Sequence, residues 1–416
     1  MGAGFAGLRT ALTLARKIPA HQCEILLIDE HDVHVYTPDL YEIATAFNEK
    51  ITQECLTTLK DTVAIPYAKI LNNEPIHFVR DTVTKIDPEG KTIMLKKGYE
   101  MSFDYLVLAL GSTVNYYGIP GLKEHSFALK TLTDAVAINC HLDHYFQMKW
   151  HDDPRKIISI VVGGGGATGV EFTGELPSSI TKLCKKYDCA LSQVKITLIE
   201  GSQQLTGQGQ KVTDIIINRF KSHGIEVKLG TLIKKVEQDA VFFSSNRGPD
   251  VKMPMDILIW TGGVTTNPLV RSTFGKAVAK NGALPVNEFL QSPVFPYIYA
   301  AGDNAAFMDP TLGKPAPWLA QVAFDQGKII GRNIAAVLKG APQKKYSLRV
   351  KGVIIPIGGK YAILKIGSSE KAFVLKGFSM WMLRRLVDLR YALSILPFVR
   401  AVKKWIHDTH VFVGND

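Results

Sequence analysis

GAGFAGLRTALTLAR, residues 2–16, reads as a glycine turn opening an apolar helix, and this stretch decides the fold. Gly2-x-Gly4-x-x-Gly7 fits a dinucleotide fingerprint. The first glycine makes a tight turn, the second lets a pyrophosphate reach the backbone, and the third packs helix on strand. The helix N-terminus then faces the anion. Downstream, CEILLIDE (23–30) is a buried strand ending in acid. Asp29 lies 22 residues past Gly7, where a carboxylate can accept a ribose hydroxyl. Only Met1 precedes Gly2, although the fingerprint should follow a buried strand. The first strand of this domain is therefore expected to be missing, through a truncated chain or, as favoured, a start site assigned inside the gene.

The same pattern recurs. IISIVVGGGGATGVEFTGEL (157–176) is a strand, glycine turn and helix, with Gly164-x-Gly166-x-x-Gly169. VKITLIEG (194–201) supplies a second acid-terminated strand, with Glu200 31 residues past Gly169. That spacing exceeds the usual ~20, and the excess lies around Cys184–Gln193. MDILIWTGGV (255–264) repeats FDYLVLALGS (103–112), while HFVRDTVTKIDPEGKTIML (77–95) alternates like a hairpin. This internal duplication implies an α/β protein with two Rossmann-like dinucleotide-binding domains. The boundaries expected are 1–115 and 274–340 for an FAD domain in two parts, 116–273 for an NADH domain, and 341–416 for a small C-terminal segment. Asp303 in YAAGDNA suits a flavin ribityl chain; its plainer reading is a turn aspartate. A carboxylate at Glu200 favours NAD over NADP, since it repels a 2′-phosphate.

Charge is unevenly placed. The net charge is +11, yet residues 341–416 hold 14 Lys and Arg against 4 Asp and Glu, leaving the first 340 residues at +1. A basic, apolar terminal segment points to an anionic membrane surface, whereas a nucleic-acid enzyme would spread its cations over the body. Within 378–396, Met382, Leu386, Leu389, Leu393 and Leu396 recur at helical spacing, with Arg384, Arg385 and Asp388 expected opposite them. After Pro397, Phe398, Val402 and Trp405 share a face, with Arg400, Lys403, Lys404 and His407 on the other. Such helices lie in the headgroup plane or pack on the body, and a homodimer would widen a membrane face. No run of about 18 apolar residues predicts a membrane span, and no signal peptide is expected. The five cysteines include no CxxC pair. Cys184 and Cys189, five apart on one expected helix, should point to different faces. The eleven histidines form no i,i+4 metal pair, so no metal site is expected.

The chain resembles the type II NADH dehydrogenases, single-chain non-pumping NADH:quinone oxidoreductases. The resembling stretches are GAGFAGL (2–8), HVYTPDLYEIAT (34–45), FDYLVLALGS (103–112), GGGATGVEFTGEL (164–176), ILIWTGGV (257–264), YAAGDNA (299–305), AQVAFDQG (320–327) and GFSMWMLRRLVDL (377–389). The resemblance implies non-covalent FAD held by Gly2, Gly4, Gly7, Asp29, Gly111 and Asp303. It implies NADH held by Gly164, Gly166, Gly169, Glu200 and Gly262. It places Glu171 near where nicotinamide and flavin meet, although a first-turn acid also suits the helix dipole. The family has two glutamines in AQxxxQ at its quinone site; here Gln321 fits, but Asp325 fills the second place and Gln326 follows. An ionised aspartate only accepts hydrogen bonds, which changes what the site offers a quinone. The expected protein is a respiratory-chain flavoenzyme, peripheral on the cytoplasmic side of a membrane. Rival readings are a soluble ferredoxin or rubredoxin reductase, which needs no apolar basic tail, and an apoptosis-inducing-factor-like redox sensor. Sulfide:quinone oxidoreductases share the fold but carry redox cysteines, and this chain has none after Cys189.

Overall fold

The computed structural model describes residues 1–49, 52–152, 157–245, 248–310, 313–367 and 372–415. It divides into two compact units. The first comprises Met1–Val35, Ile65–Thr113 and Val264–Val350; the second comprises Tyr36–Ala64, Val114–Gly263 and Lys351–Asp416.

In the first unit, strands Leu26–Asp29 and His77–Arg80 pair in parallel, as do Leu106–Leu108 and Ile298–Ala300. Met1 and Gly2 link the two pairs: the Met1 ammonium donates to the Val107 carbonyl at 2.9 Å, and Gly2 N–H donates to Ile28 O at 2.8 Å. Met1, Ile28, Leu106, Leu108 and Ile298 share one core. The 77–95 stretch is not a single hairpin. Only Val83–Asp87 and Thr92–Leu95 pair antiparallel, with Glu100–Ser102 as third strand, while His77–Arg80 joins the parallel pair. Alternation at a sheet edge looks alike for either kind of partner, so periodicity could not separate them. Helix Phe5–Ala15 packs on helix Ala320–Leu338 through Gly327, where an added Cβ would sit 2.3 Å from Ala6 O. Thr10 Oγ1 donates to both Ala6 O and Gly327 O across this seam.

The second unit holds a five-stranded parallel sheet in the order Phe127–Ala128, Ile257–Trp260, Ile158–Gly163, Val194–Ile199, Ile225–Lys228. Its central strands are continuous apolar runs because they are covered on both faces. From Lys351 onward the C-terminal segment belongs to this unit. Strands Val353–Pro356, Ala362–Ile366 and Phe373–Gly377 form an antiparallel sheet, followed by helices Phe378–Ile395 and Phe398–Asn415. Arg219 donates to Ile357 O at 3.0 Å, and a Cβ on Gly174 would meet Ile357 C at 2.6 Å, so this sheet lies hard against the unit's helices. No helix among the described residues is long and apolar enough to cross a membrane.

The helix Phe378–Ile395 is turned the other way from its expected orientation. Arg384 and Arg385 are buried and Asp388 is half-buried, while Leu386 and Leu393 are exposed. The reason is a set of partners far upstream in sequence. Arg384 Nη2 lies 2.7 Å from Asp39 Oδ1, Arg385 Nη2 lies 3.5 Å from Glu42 Oε1, and both arginines also pair with Asp388. Tyr36 OH donates to Asp388 Oδ1 at 2.8 Å and accepts from Arg384. The Arg385 guanidinium stacks between Trp381 and Phe412, 5.8 and 4.9 Å from their ring centroids.

Candidate functional site

Each unit carries one glycine turn, and the two are built alike. Gly2 and Gly164 open them in the left-handed region, at φ +81° and +107°. A Cβ on Gly7 would sit 1.8 Å from Gly2 O; one on Gly169 would sit 1.9 Å from Gly164 O. The middle glycines differ from these. Gly4 and Gly166 are helix N-caps with extended backbone, and a Cβ added to either would meet nothing within 4 Å. Open space over a helix N-terminus is what a pyrophosphate requires.

The acids repeat the match. Asp29 accepts from Ala3 N–H at 2.7 Å and from His31 N–H at 2.9 Å. Glu200 accepts from Gly165 N–H at 2.5 Å and from Ser202 N–H at 2.6 Å. Each carboxylate therefore ties the residue between its first two glycines to the residue two beyond itself. The longer spacing before Glu200 does not disturb this, because helix Ala167–Tyr187 and the turn Leu191–Gln193 absorb it. Backbone bonds repeat too. Gly2 N–H to Ile28 O corresponds to Gly164 N–H to Ile199 O, and Ala109 N–H to Met1 O corresponds to Thr261 N–H to Gly163 O. Met1 thus occupies in its unit the place Gly163 occupies in the other.

In the first unit a further turn converges on the first. Asn304 Oδ1 accepts from Leu110 N–H at 2.5 Å and its Nδ2 donates to Gly111 O at 2.8 Å, holding Gly111 at φ +68°. Ser112 Oγ donates to Asp303 Oδ2 at 2.5 Å. Gln326 is buried, and its Oε1 accepts from Gly302 N–H at 2.7 Å. That clamp turns the Gln326 side chain inward. Gln321 and Asp325 are half-buried on helix Ala320–Leu338. Asp325 lies close enough to Tyr346 that, after burial, its charge helps push that phenol up. Asn304 follows a glycine turn in sequence, whereas nothing local to Gln326, inside helix Ala320–Leu338, marks its clamp.

In the second unit Glu171 stands in the first turns of helix Ala167–Tyr187, near the Asp39, Glu42, Arg384 and Arg385 cluster. It keeps some exposed surface, yet the protein packed around its carboxyl pushes the pKa up to about 8. Burial is the largest cause; Arg384 opposes it, while Asp39 and Glu42 reinforce it. Glu171 therefore holds a proton at neutral pH. Gly262 sits beside Gly164 in this unit, and a Cβ on it would strike the Trp260 ring at 2.3 Å. Asp39 and Glu42 lay within a resembling stretch, but nothing local marked them as partners of residues more than 340 positions away. Among the described residues, no group of three or more His, Cys, Asp or Glu could hold a metal ion.

The chain is 27% identical to a type II NADH:quinone oxidoreductase of Staphylococcus saprophyticus over 97% of both chains. It is 28% identical to one of Staphylococcus aureus, over 97% of both chains. Among solved structures it is similar to NDH2 from Plasmodium falciparum in complex with NADH, with TM-score 0.83 and 18% identity, covering 99% of this chain and 96% of that one. A sulfide:quinone oxidoreductase from Aquifex aeolicus is also similar, with TM-score 0.77 and 21% identity over 94% of this chain and 89% of that one. The family model described as pyridine nucleotide-disulphide oxidoreductase matches residues 1–327, which carry both glycine turns and their acids, and the chain belongs to that family.

Proposed function

We propose that this protein is an NADH:quinone oxidoreductase that uses FAD and pumps no protons. The observation that carries the reading is likeness along 97% of the chain to proteins named for that reaction, joined to two glycine turns with matched acid clamps. The first unit would hold FAD through Gly2, Gly4, Gly7, Asp29, Gly111 and Asp303. The second would hold NADH through Gly164, Gly166, Gly169, Glu200 and Gly262. Bound FAD would supply hydride acceptance from NADH and two-electron transfer to a quinone. The chain's own residues bind and orient. Both helix N-termini meet a pyrophosphate, and Glu200 meets the ribose and repels a 2′-phosphate. Glu171, protonated at neutral pH, can supply a proton and take one back. Gln321 can donate to a quinone carbonyl, and Asp325 can accept a proton nearby.

Stopped-flow spectroscopy tests this reading. NADH should bleach the bound flavin, and a water-soluble quinone should restore its colour. Gln321→Ala should slow the second phase about tenfold, the value of one hydrogen bond, and leave the first unchanged. Bleaching without reoxidation by quinone, but with reoxidation by a ferredoxin, would favour the soluble-reductase reading.

The same proposal places the protein on the cytoplasmic face of a membrane, through the outer side of the last two helices. There Phe398, Val399 and Ile406 are 70%, 62% and 57% exposed, with Arg400, Lys403 and His407 exposed as well. Apolar side chains of this size left in water, beside cations, suit an anionic lipid surface. Phe398→Glu with Val399→Glu should abolish sedimentation with phosphatidylserine vesicles while leaving oxidation of NADH by a water-soluble quinone at the parent rate. Vesicle binding that survives the double substitution would place the membrane contact elsewhere.

A further inference from the structure

Cys184 and Cys189 do not point apart. Helix Ala167–Tyr187 is stopped by Asp188, which sits in the left-handed region at φ +58°. The chain reverses there, and the N–H groups of Asp188 and Cys189 both return to the Cys184 carbonyl, the latter at 2.9 Å. This six-to-one closure ends many helices, and it brings together the side chains of the two residues it joins. Apolar side chains usually fill that contact. Here two free thiols fill it. Burial pushes both thiols up, and the Cys184 thiol beside Cys189 opposes that rise at Cys189. Cys184 is buried and Cys189 is half-buried, so only one sulfur is open to a small reagent. The same hydrogen bond holds the two backbones close together, as a disulfide requires.

We propose that Cys184 and Cys189 form a modification site for hydroperoxides, which close the pair into an intramolecular disulfide across the end of this helix. Cys189, as its thiolate, attacks one peroxide oxygen. The O–O bond breaks, the departing hydroxide takes up the thiol proton as water, and the sulfur becomes a sulfenic acid. The Cys184 sulfur then displaces that hydroxyl; the S–S bond forms, and a second water carries away the Cys184 proton. Two thiols lose two electrons and two protons, and one hydrogen peroxide becomes two waters. The bond pins the helix to the segment 188–193, which leads into strand Val194–Ile199 and so to Glu200 just beyond it. A thiol reductant reverses it. The site is independent of the reaction proposed above.

The full-length protein is treated with hydrogen peroxide, its remaining thiols are alkylated, and it is digested with trypsin. Cleavage at Lys185 and Lys186 separates the two cysteines, so their peptides should stay joined until a reductant is added. Amides 187–190 should also exchange with solvent about tenfold more slowly in the oxidised form. Cys184→Ala should leave Cys189 as a sulfenic acid that dimedone traps, with no joined peptides. The proposal is overturned if the parent's peptides separate without reductant, if Cys189 runs on to sulfinic acid in the parent, or if either cysteine pairs with Cys23, Cys55 or Cys140 instead.

Discussion

Cleavage after Gly377 will unfold the second unit rather than release an active enzyme from an anchor. The cut removes Arg384 and Arg385, and with them the partners of Asp39 and Glu42, two acids 3% and 2% exposed. Leaving buried charge without its partner costs about 3–5 kcal/mol. Trp381, Ile395 and Phe412, all buried, leave at the same time. These losses together match the whole stability of an ordinary domain, about 5–15 kcal/mol. The truncated chain should show no cooperative thermal transition for this unit and no bleaching of flavin by NADH. A milder version isolates the ion cluster. Arg385→Met alone should lower Tm sharply, because Glu42 loses its cation. Arg385→Met with Glu42→Leu should recover part of that loss, because one fewer buried carboxylate then faces the lost cation. A truncated chain that keeps its flavin, reacts with NADH and only stops binding vesicles would show that the last two helices are a detachable anchor after all.

That prediction separates what could be read in the sequence from what could not. The two glycine turns were legible because their chemistry is local. Three glycines at fixed offsets, an apolar strand and a terminal acid lie within a few dozen residues of one another, and the same backbone geometry enforces each spacing. Even the unusual distance from Gly169 to Glu200 did no harm, since only the strand end has to return to the turn. The charged face of helix Phe378–Ile395 was not legible, because charge at helical spacing has two solutions. Arg384, Arg385 and Asp388 can face water, or they can face other charges inside the protein. The choice rests on Tyr36, Asp39 and Glu42, which the chain brings to the same place from over 340 residues away. The cysteines were misread for a local reason: an i,i+5 pair diverges on a continuing helix, but Asp188 in the left-handed region ends the helix between them. Aspartate tolerates that conformation better than most residues, which was the one available clue.

Gly166→Ala and Gly169→Ala should fail in different ways, although the substitutions are chemically identical and three positions apart. At Gly169 the new methyl would stand 1.9 Å from Gly164 O and 2.5 Å from Thr261 Oγ1. Helix and turn must separate to admit it, so overpacking of about 1–3 kcal/mol or more falls on the fold itself. Tm should drop and reduction of flavin by NADH should be lost. At Gly166 the methyl meets no protein atom within 4 Å, and its backbone is already extended, so the fold should not notice it. If a pyrophosphate approaches that open side, the methyl displaces it. KM for NADH should then rise about tenfold or more, each factor of ten being about 1.4 kcal/mol of lost binding, with Tm and flavin content unchanged. Gly4 gives the control from the other unit, since a methyl there also meets nothing within 4 Å. Gly4→Ala should lower bound flavin and leave KM for NADH alone in the molecules that retain it. An unchanged KM in Gly166→Ala would mean that no phosphate approaches this turn, and a raised KM in Gly4→Ala with full flavin would mean that the two turns have been assigned to the wrong nucleotides.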